Sequence, residues 1–160
     1  MPDTYHRLIQ LLDDNGARYR LIDHDPEGTT EIVSAMRGNP VGQAAKAIVL
    51  LVKLDRKQRR YVVAVVPGDR RVDLDAVRRL YGARYVGFCD ATTAERLAQA
   101  VPGTVLPFSF DPGLELIADP AIVASDALYF NAARLDRSVC LSGTDYASLA
   151  QPRVERIATG

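Results

Sequence analysis

Tryptophan is missing from this sequence, and histidine and cysteine occur only twice each. Cys89 and Cys140 are far apart, with no CxxC pair and no histidine nearby. They build neither a zinc site nor a disulfide scaffold, so no metal is expected, and a reduced, cytoplasmic setting fits. Long apolar runs are missing too. The longest aliphatic stretch, Ala47 to Val52, is far too short to cross a bilayer, so no membrane association is expected. The N-terminal MPDTYHRLIQLLDDNG mixes charged and apolar positions and does not read as a signal peptide.

Charge of one sign does not dominate, because twenty basic residues balance twenty acidic ones. This excludes a protein that coats nucleic acid or membrane by bulk charge and leaves only a local basic face. Lysine is scarce: Lys46, Lys53 and Lys57 stand against seventeen arginines. The familiar catalytic signatures are absent as well, with no GxSxG elbow, P-loop, GxGxxG or HExxH.

What remains is ordinary globular composition, 48% apolar and 25% charged over 160 residues. That is enough for one domain spanning residues 1–160. Asp3 or Thr4 can cap a first helix with Leu8, Ile9, Leu11 and Leu12 as its apolar stripe and Gly16 as its stop. A strand is expected over 18–23. A short helix then runs from Gly28-Thr29-Thr30 through Met36 and breaks at Gly38-Asn39-Pro40. The runs AIVLLVKL (47–54) and YVVAVVP (61–67) are apolar at successive positions and rich in β-branched residues. Both read as central strands buried on two faces, joined by the polar connector Asp55 to Arg60. Asp73 caps a helix to Tyr81, a strand follows over 84–89, and Thr92 or Thr93 starts a helix to about Ala100. The remainder reads as loops and short strands with one closing helical turn. The fold class is mixed α/β, with strand order undetermined.

Two features can carry chemistry. Lys46 stands in GQAAK at the head of a strand apolar on both faces. An amine desolvated there costs energy unless a partner or a ligand anion meets it. In the plainer reading its stem packs while the ammonium reaches water. The second feature is Gly103-Thr104-Val105-Leu106-Pro107, followed by Phe108-Ser109-Phe110. A glycine and a proline bracketing three residues fix a loop whose backbone groups can face a ligand. Arg56 to Arg60 and the pairs Arg70-Arg71 and Arg78-Arg79 are candidate phosphate contacts. His6 and His24 read as surface or capping residues.

In order, a Thr-containing short helix, GQAAK, VVPGDRRVDLDAV, PGTVLPF, ADP and FNAARLDRSV resemble the YbaK-like, or prolyl-tRNA-synthetase-associated, editing domain family. The resemblance covers nearly the whole chain and is strongest to the free-standing bacterial deacylases of the serine/threonine type. It implies a mixed β-sheet wrapped by helices, and trans-editing hydrolysis of the ester on a tRNA misacylated with Ser, Thr or Ala. No cofactor is implied. The partners implied are misacylated tRNA and, as a further candidate, an aminoacyl-tRNA synthetase. By motif, Lys46 matches the family's essential lysine, and Gly103 to Pro107 match its GxxxP loop. Thr30 and Val33 fall where members line the amino-acid pocket, and Asn131 where others place a size-selecting residue. Phe108 and Ser109, next to the loop, count with the substrate-binding residues. The sequence departs at Asn131-Ala132-Ala133-Arg134, where many members carry glycine before the arginine. No general base is visible, so bound water or the ribose 2′-hydroxyl is left for that task. The alternative is a noncatalytic tRNA- or synthetase-binding module with the same fold; an esterase of small acyl compounds is a third reading.

Overall fold

The computed structural model describes residues 3–160; Met1 and Pro2, which begin the N-terminal stretch read above, lie outside it. In chain order the elements are α1 (Thr4–Asp14), β1 (Tyr19–Asp23), α2 (Thr30–Arg37), β2 (Ala45–Lys53), β3 (Arg59–Pro67), α3 (Leu74–Tyr81) and β4 (Tyr85–Phe88). Then follow α4 (Ala91–Ala98), β5 (Leu114–Ala118), α5 (Pro120–Val123), β6 (Leu128–Asn131), β7 (Arg137–Leu141), α6 (Gly143–Ala150) and β8 (Arg153–Val154). The strands form a mixed five-stranded sheet, β4-β2-β3-β5-β8, and an antiparallel three-stranded sheet, β1-β7-β6. The mixed α/β class expected from the sequence is the class observed.

The two aliphatic runs become the centre of the larger sheet because side chains alternate across a strand. Val63 and Val65 of β3 join Ala45 and Val49 of β2 in a core shared with Leu8 and Leu12 of α1, Phe130 of β6 and Tyr146 of α6. Val62, Ala64 and Val66 join Leu50 and Val52 in a second core, closed by Val77 of α3 and Ile157. Neither face of the hairpin meets solvent along its middle, which explains a pattern apolar at every position. The connector turns on Asp55, whose Oδ1 accepts from Lys57 N at 2.7 Å and Gln58 N at 2.8 Å.

Several element bounds differ from the sequence expectation. β2 begins at Ala45, not Ala47, because its head is paired with Pro67 and Val66 and bridged at Ala44 to Tyr129. α4 starts at Ala91, since Asp90 outcompetes the threonines as cap and accepts from Thr93 N at 2.9 Å. α6 is two turns long, and α5 and β8 were not foreseen.

Asp119 holds the closing segment in place. Its buried carboxylate caps α5 through Ala121 N at 3.0 Å and accepts from Ile157 N and Ala158 N at 3.0 and 2.9 Å. Removing it strands three backbone donors, two of them on the segment that closes the second core. Asp119→Ala is expected to cost about 3 kcal/mol and to lower Tm by roughly 6–12 °C in a thermal melt. A loss under about 2 °C would show that these bonds are readily replaced.

Candidate active site

β3 pairs with β2 along all nine residues of β2, whereas β4 covers the opposite edge only from Leu50 to Lys53. Gly68 N donates to Ala44 O and Cys89 N to Val49 O. In an antiparallel strand, successive residues aim their peptide groups at opposite neighbours. Ala45 and Ala47 therefore turn their N–H and C=O toward the opposite edge, which the bridge of Ala44 to Tyr129 meets at its head and which is open at Ala47. A cavity of about 190 Å³ lies there, lined by residues from α2, the head of β2, the Gly103 loop and β6. It is smaller than the roughly 300–1,000 Å³ of sites for drug-sized ligands and suits a small group.

Lys46, Gly103, Thr30, Val33 and Asn131 all line this cavity. Lys46 is the second residue of β2, one step inside the strand, and its Nζ donates to Arg70 O at 2.5 Å. Among the described residues no carboxylate lies within ion-pair distance of it. Thr30 is the first residue of α2; the N-cap is Thr29, so capping does not occupy the Thr30 hydroxyl. Among the described residues that hydroxyl has no hydrogen-bond partner. Its methyl instead packs at Gly68, where an added Cβ would sit 2.8 Å from Thr30 Cγ2 and 2.6 Å from Val41 O. The PGD turn after β3 thus needs glycine so that α2 and the head of β2 can close together.

Gly103 has φ +84, and a Cβ there would sit 2.7 Å from Gly28 Cα. The two backbones touch with no side chain between them. Asn131 pins this contact: its Nδ2 donates to Glu27 O at 2.9 Å and Gly103 O at 3.0 Å. Its Oδ1 accepts from Ser138 Oγ at 3.0 Å. The amide is thus engaged on both sides, so Asn131 shapes the cavity as a clamp on the loop.

Pro107, Phe108 and Ser109 do not reach the cavity. Pro107 is buried, and Phe108 turns into the core, edge-on to Phe130 at 6.0 Å and Tyr146 at 5.3 Å between centroids. Ser109 Oγ donates to Leu114 O at 2.5 Å, tying its loop to β5. Ala133 has φ +59, the left-handed conformation that favours glycine. The alanine that precedes Arg134, where the sequence departs from the resemblance, thus stands in a conformation that suits glycine.

Arg37 is the residue that sequence reasoning missed. With Thr30 and Val33 it falls at i, i+3 and i+7, on one face of α2, and it lines the cavity. It donates to Asn39 Oδ1 at 3.0 Å, Ser138 Oγ at 3.1 Å and Ser34 Oγ at 3.3 Å, all neutral acceptors. Desolvation pushes its pKa down to about 10, so it remains a cation at neutral pH without a carboxylate neighbour. Ser138 also meets His24 Nε2 at 2.7 Å, placing that histidine in the support behind the cavity. Neither cysteine lines the cavity, and burial pushes the Cys89 thiol up, away from a reactive thiolate. Among the described residues no three His, Cys, Asp or Glu side chains cluster as metal ligands.

The segment that supplies this small cavity, with its two unneutralised cations and glycine-shaped loop, belongs to a known class. The family of aminoacyl-tRNA editing domains matches residues 24–149, and the chain belongs to it. It is 38% identical over 152 residues to the multifunctional Ser/Thr-tRNA deacylase ProXp-y of Escherichia coli K12, covering 94% of this chain and 90% of that one. It is 26% identical over 106 residues to the prolyl-tRNA editing protein ProX of Acetoanaerobium sticklandii, covering 66% and 63%. The fold superposes on the hypothetical protein APE2540 with a TM-score of 0.84 at 19% identity, covering 96% of this chain and 99% of that one. It also superposes on a proposed trans-editing enzyme for prolyl tRNA synthetase, with a TM-score of 0.79 at 18% identity, covering 100% and 99%.

The Gly28–Gly103 contact can be tested against Gly16, which also has positive φ but open space around it. Gly16→Ala is expected to cost about 1 kcal/mol, or roughly 2–4 °C in Tm. Gly103→Ala is expected to lose at least twice that, because the loops must also separate. Equal losses would show that the close approach contributes nothing.

Proposed function

We propose that this protein is a cytoplasmic trans-editing deacylase. It hydrolyses the ester between a small amino acid (Ser, Thr or Ala) and the 3′-terminal ribose of a misacylated tRNA. The reading treats residues 1–160 as one editing domain, supplied by the aminoacyl-tRNA synthetase that releases the wrong product. The observation that carries it is Lys46, a residue of the cavity wall whose ammonium meets the Arg70 carbonyl and has no carboxylate within ion-pair distance among the described residues.

An aminoacyl ester is already activated, so positioning and charge stabilisation supply most of what its hydrolysis needs. Lys46 faces the oxyanion that forms when water adds to the ester carbonyl, and the Ala47 N–H on the open edge offers a second donor. Arg37 holds a phosphate or the developing charge from the α2 side. The Gly103 loop, fixed by Asn131, orients the terminal ribose, and Pro107 sets the loop's shape from outside the cavity. The free Thr30 hydroxyl reads the hydroxyl of a Ser or Thr side chain, and Val33 limits size. A site that hydrogen-bonds a substrate hydroxyl rejects the analogue lacking it more strongly than an apolar pocket rejects an extra methyl.

Single-turnover rates on a panel of acylated tRNAs test this. Ser- and Thr-tRNA are expected to be cleaved fastest, Ala-tRNA more slowly, and Leu- and Phe-tRNA hardly at all. Lys46→Ala is expected to lose about 10²–10³ in rate with Tm unchanged, and Lys46→Arg to fail as well, since a guanidinium does not replace a compact ammonium. Thr30→Val is expected to lower the Ser and Thr rates about tenfold and spare Ala. Near-normal rates in both Lys46 variants would overturn the assignment.

A further inference from the structure

At the far end of β2 from Lys46, four cations surround a second concavity of about 330 Å³: Lys53, Arg56, Arg59 and Arg84, with Tyr85 and Asp55. Lys53 is in register with Arg59 on one side and Tyr85 on the other, so the three form one row across β3, β2 and β4. Directly opposed residues share a face of the sheet. Among the described residues none of the four cations lies within ion-pair distance of a carboxylate, whereas Arg60 is paired with Glu115 and Arg78 with Asp75. Asp55 is an exposed carboxylate of the same concavity, engaged by its own turn: the backbone N–H groups of Lys57 and Gln58 hold its carboxyl below the usual range, with a smaller pull from Arg84.

The aromatic ring is the second observation. A Cβ at Gly87 would collide with the Tyr85 phenol, so the ring lies flat along β4 over that glycine. Lys53 Nζ is 5.4 Å from the ring centroid, and Tyr85 is 50% exposed. A flat ring ringed by unpaired cations is the combination that binds nucleic acid: phosphates meet the charges and a base stacks on the ring. An acidic protein would use the charges but has no need of a ring laid flat for stacking.

We propose that this concavity docks the acceptor end of the tRNA, with backbone phosphates on Lys53, Arg56, Arg59 and Arg84 and an exposed base on Tyr85. The inference rests on the reading that the substrate is an aminoacyl-tRNA. Seven residues of β2 separate Lys53 from Lys46, about 23 Å at 3.3 Å per residue. That is about seven stacked nucleotides at 3.4 Å each, and fewer for an extended strand, so the patch lies within reach of the junction between tail and stem.

Two measurements on the purified protein test it. The first is salt-dependent binding of unacylated tRNA, which does not depend on catalysis. The Arg56→Glu, Arg59→Glu, Arg84→Glu triple variant is expected to bind at least tenfold more weakly. Its slope of log K against log salt is expected to be shallower by about 2–3, at 0.7–0.9 per lost contact. Tyr85→Ala is expected to weaken binding about tenfold with the slope unchanged. The second is hydrolysis of seryl-tRNA against the seryl ester of adenosine, which fills only the cavity around Lys46. Both variants are expected to raise KM for the tRNA ester and leave the adenosine ester alone, which also reports that they are folded. Unchanged tRNA binding, or equal loss on both esters, overturns the docking site. A wild-type protein that binds tRNA through this patch yet cleaves neither ester would refute the proposed function and leave the docking site standing. Capture of an acidic protein by the patch, with tRNA titrations indifferent to the variants, overturns it in favour of a protein partner.

Discussion

An unequal pairing of one strand underlies the site. β2 gives one edge to β3 for its whole length and the other to β4 for less than half. Backbone N–H and C=O groups left without a strand partner must be met by something else or remain available. Around the open stretch the chain gathers α2, β6 and the Gly103 loop, and the space they leave is the cavity. The same strand is held rigid by cores on both faces, so Lys46 projects from a backbone that cannot shift to accommodate it.

Much of this was legible in order along the chain, for physical reasons. The aliphatic runs announced a doubly buried hairpin, and Lys46 stood out because an amine at the head of such a strand has to be accounted for. Glycine and proline at 103 and 107 announced a shaped loop. What the sequence could not show was which loops meet. The Gly28–Gly103 contact joins segments 75 residues apart and depends on how β6 and β7 pack, a matter of strand order.

Proximity in sequence also misled in particular places. Phe108 and Ser109 follow the loop directly, yet the chain turns at Pro107 and carries them into the core and onto β5. Arg37, by contrast, looks like any basic residue in the last turn of a helix, where it complements the dipole. Its place at the cavity comes from packing against Tyr129 and Ser138, which no local pattern encodes. The spacing of Thr30, Val33 and Arg37 on a single helix face was the signal available for finding it.

The backbone contact between Gly28 and Gly103 divides the cavity wall into two kinds of surface. On one side there are no side chains to exchange: two glycines in van der Waals contact fix the position of that wall, and any larger residue displaces it. On the other side stands α2, whose inner face brings the side chains of Thr30, Val33 and Arg37 to the cavity. A lineage built on this backbone can therefore reshape one wall of the cavity by drift along a single helix, while the facing wall is inherited as main chain and does not drift.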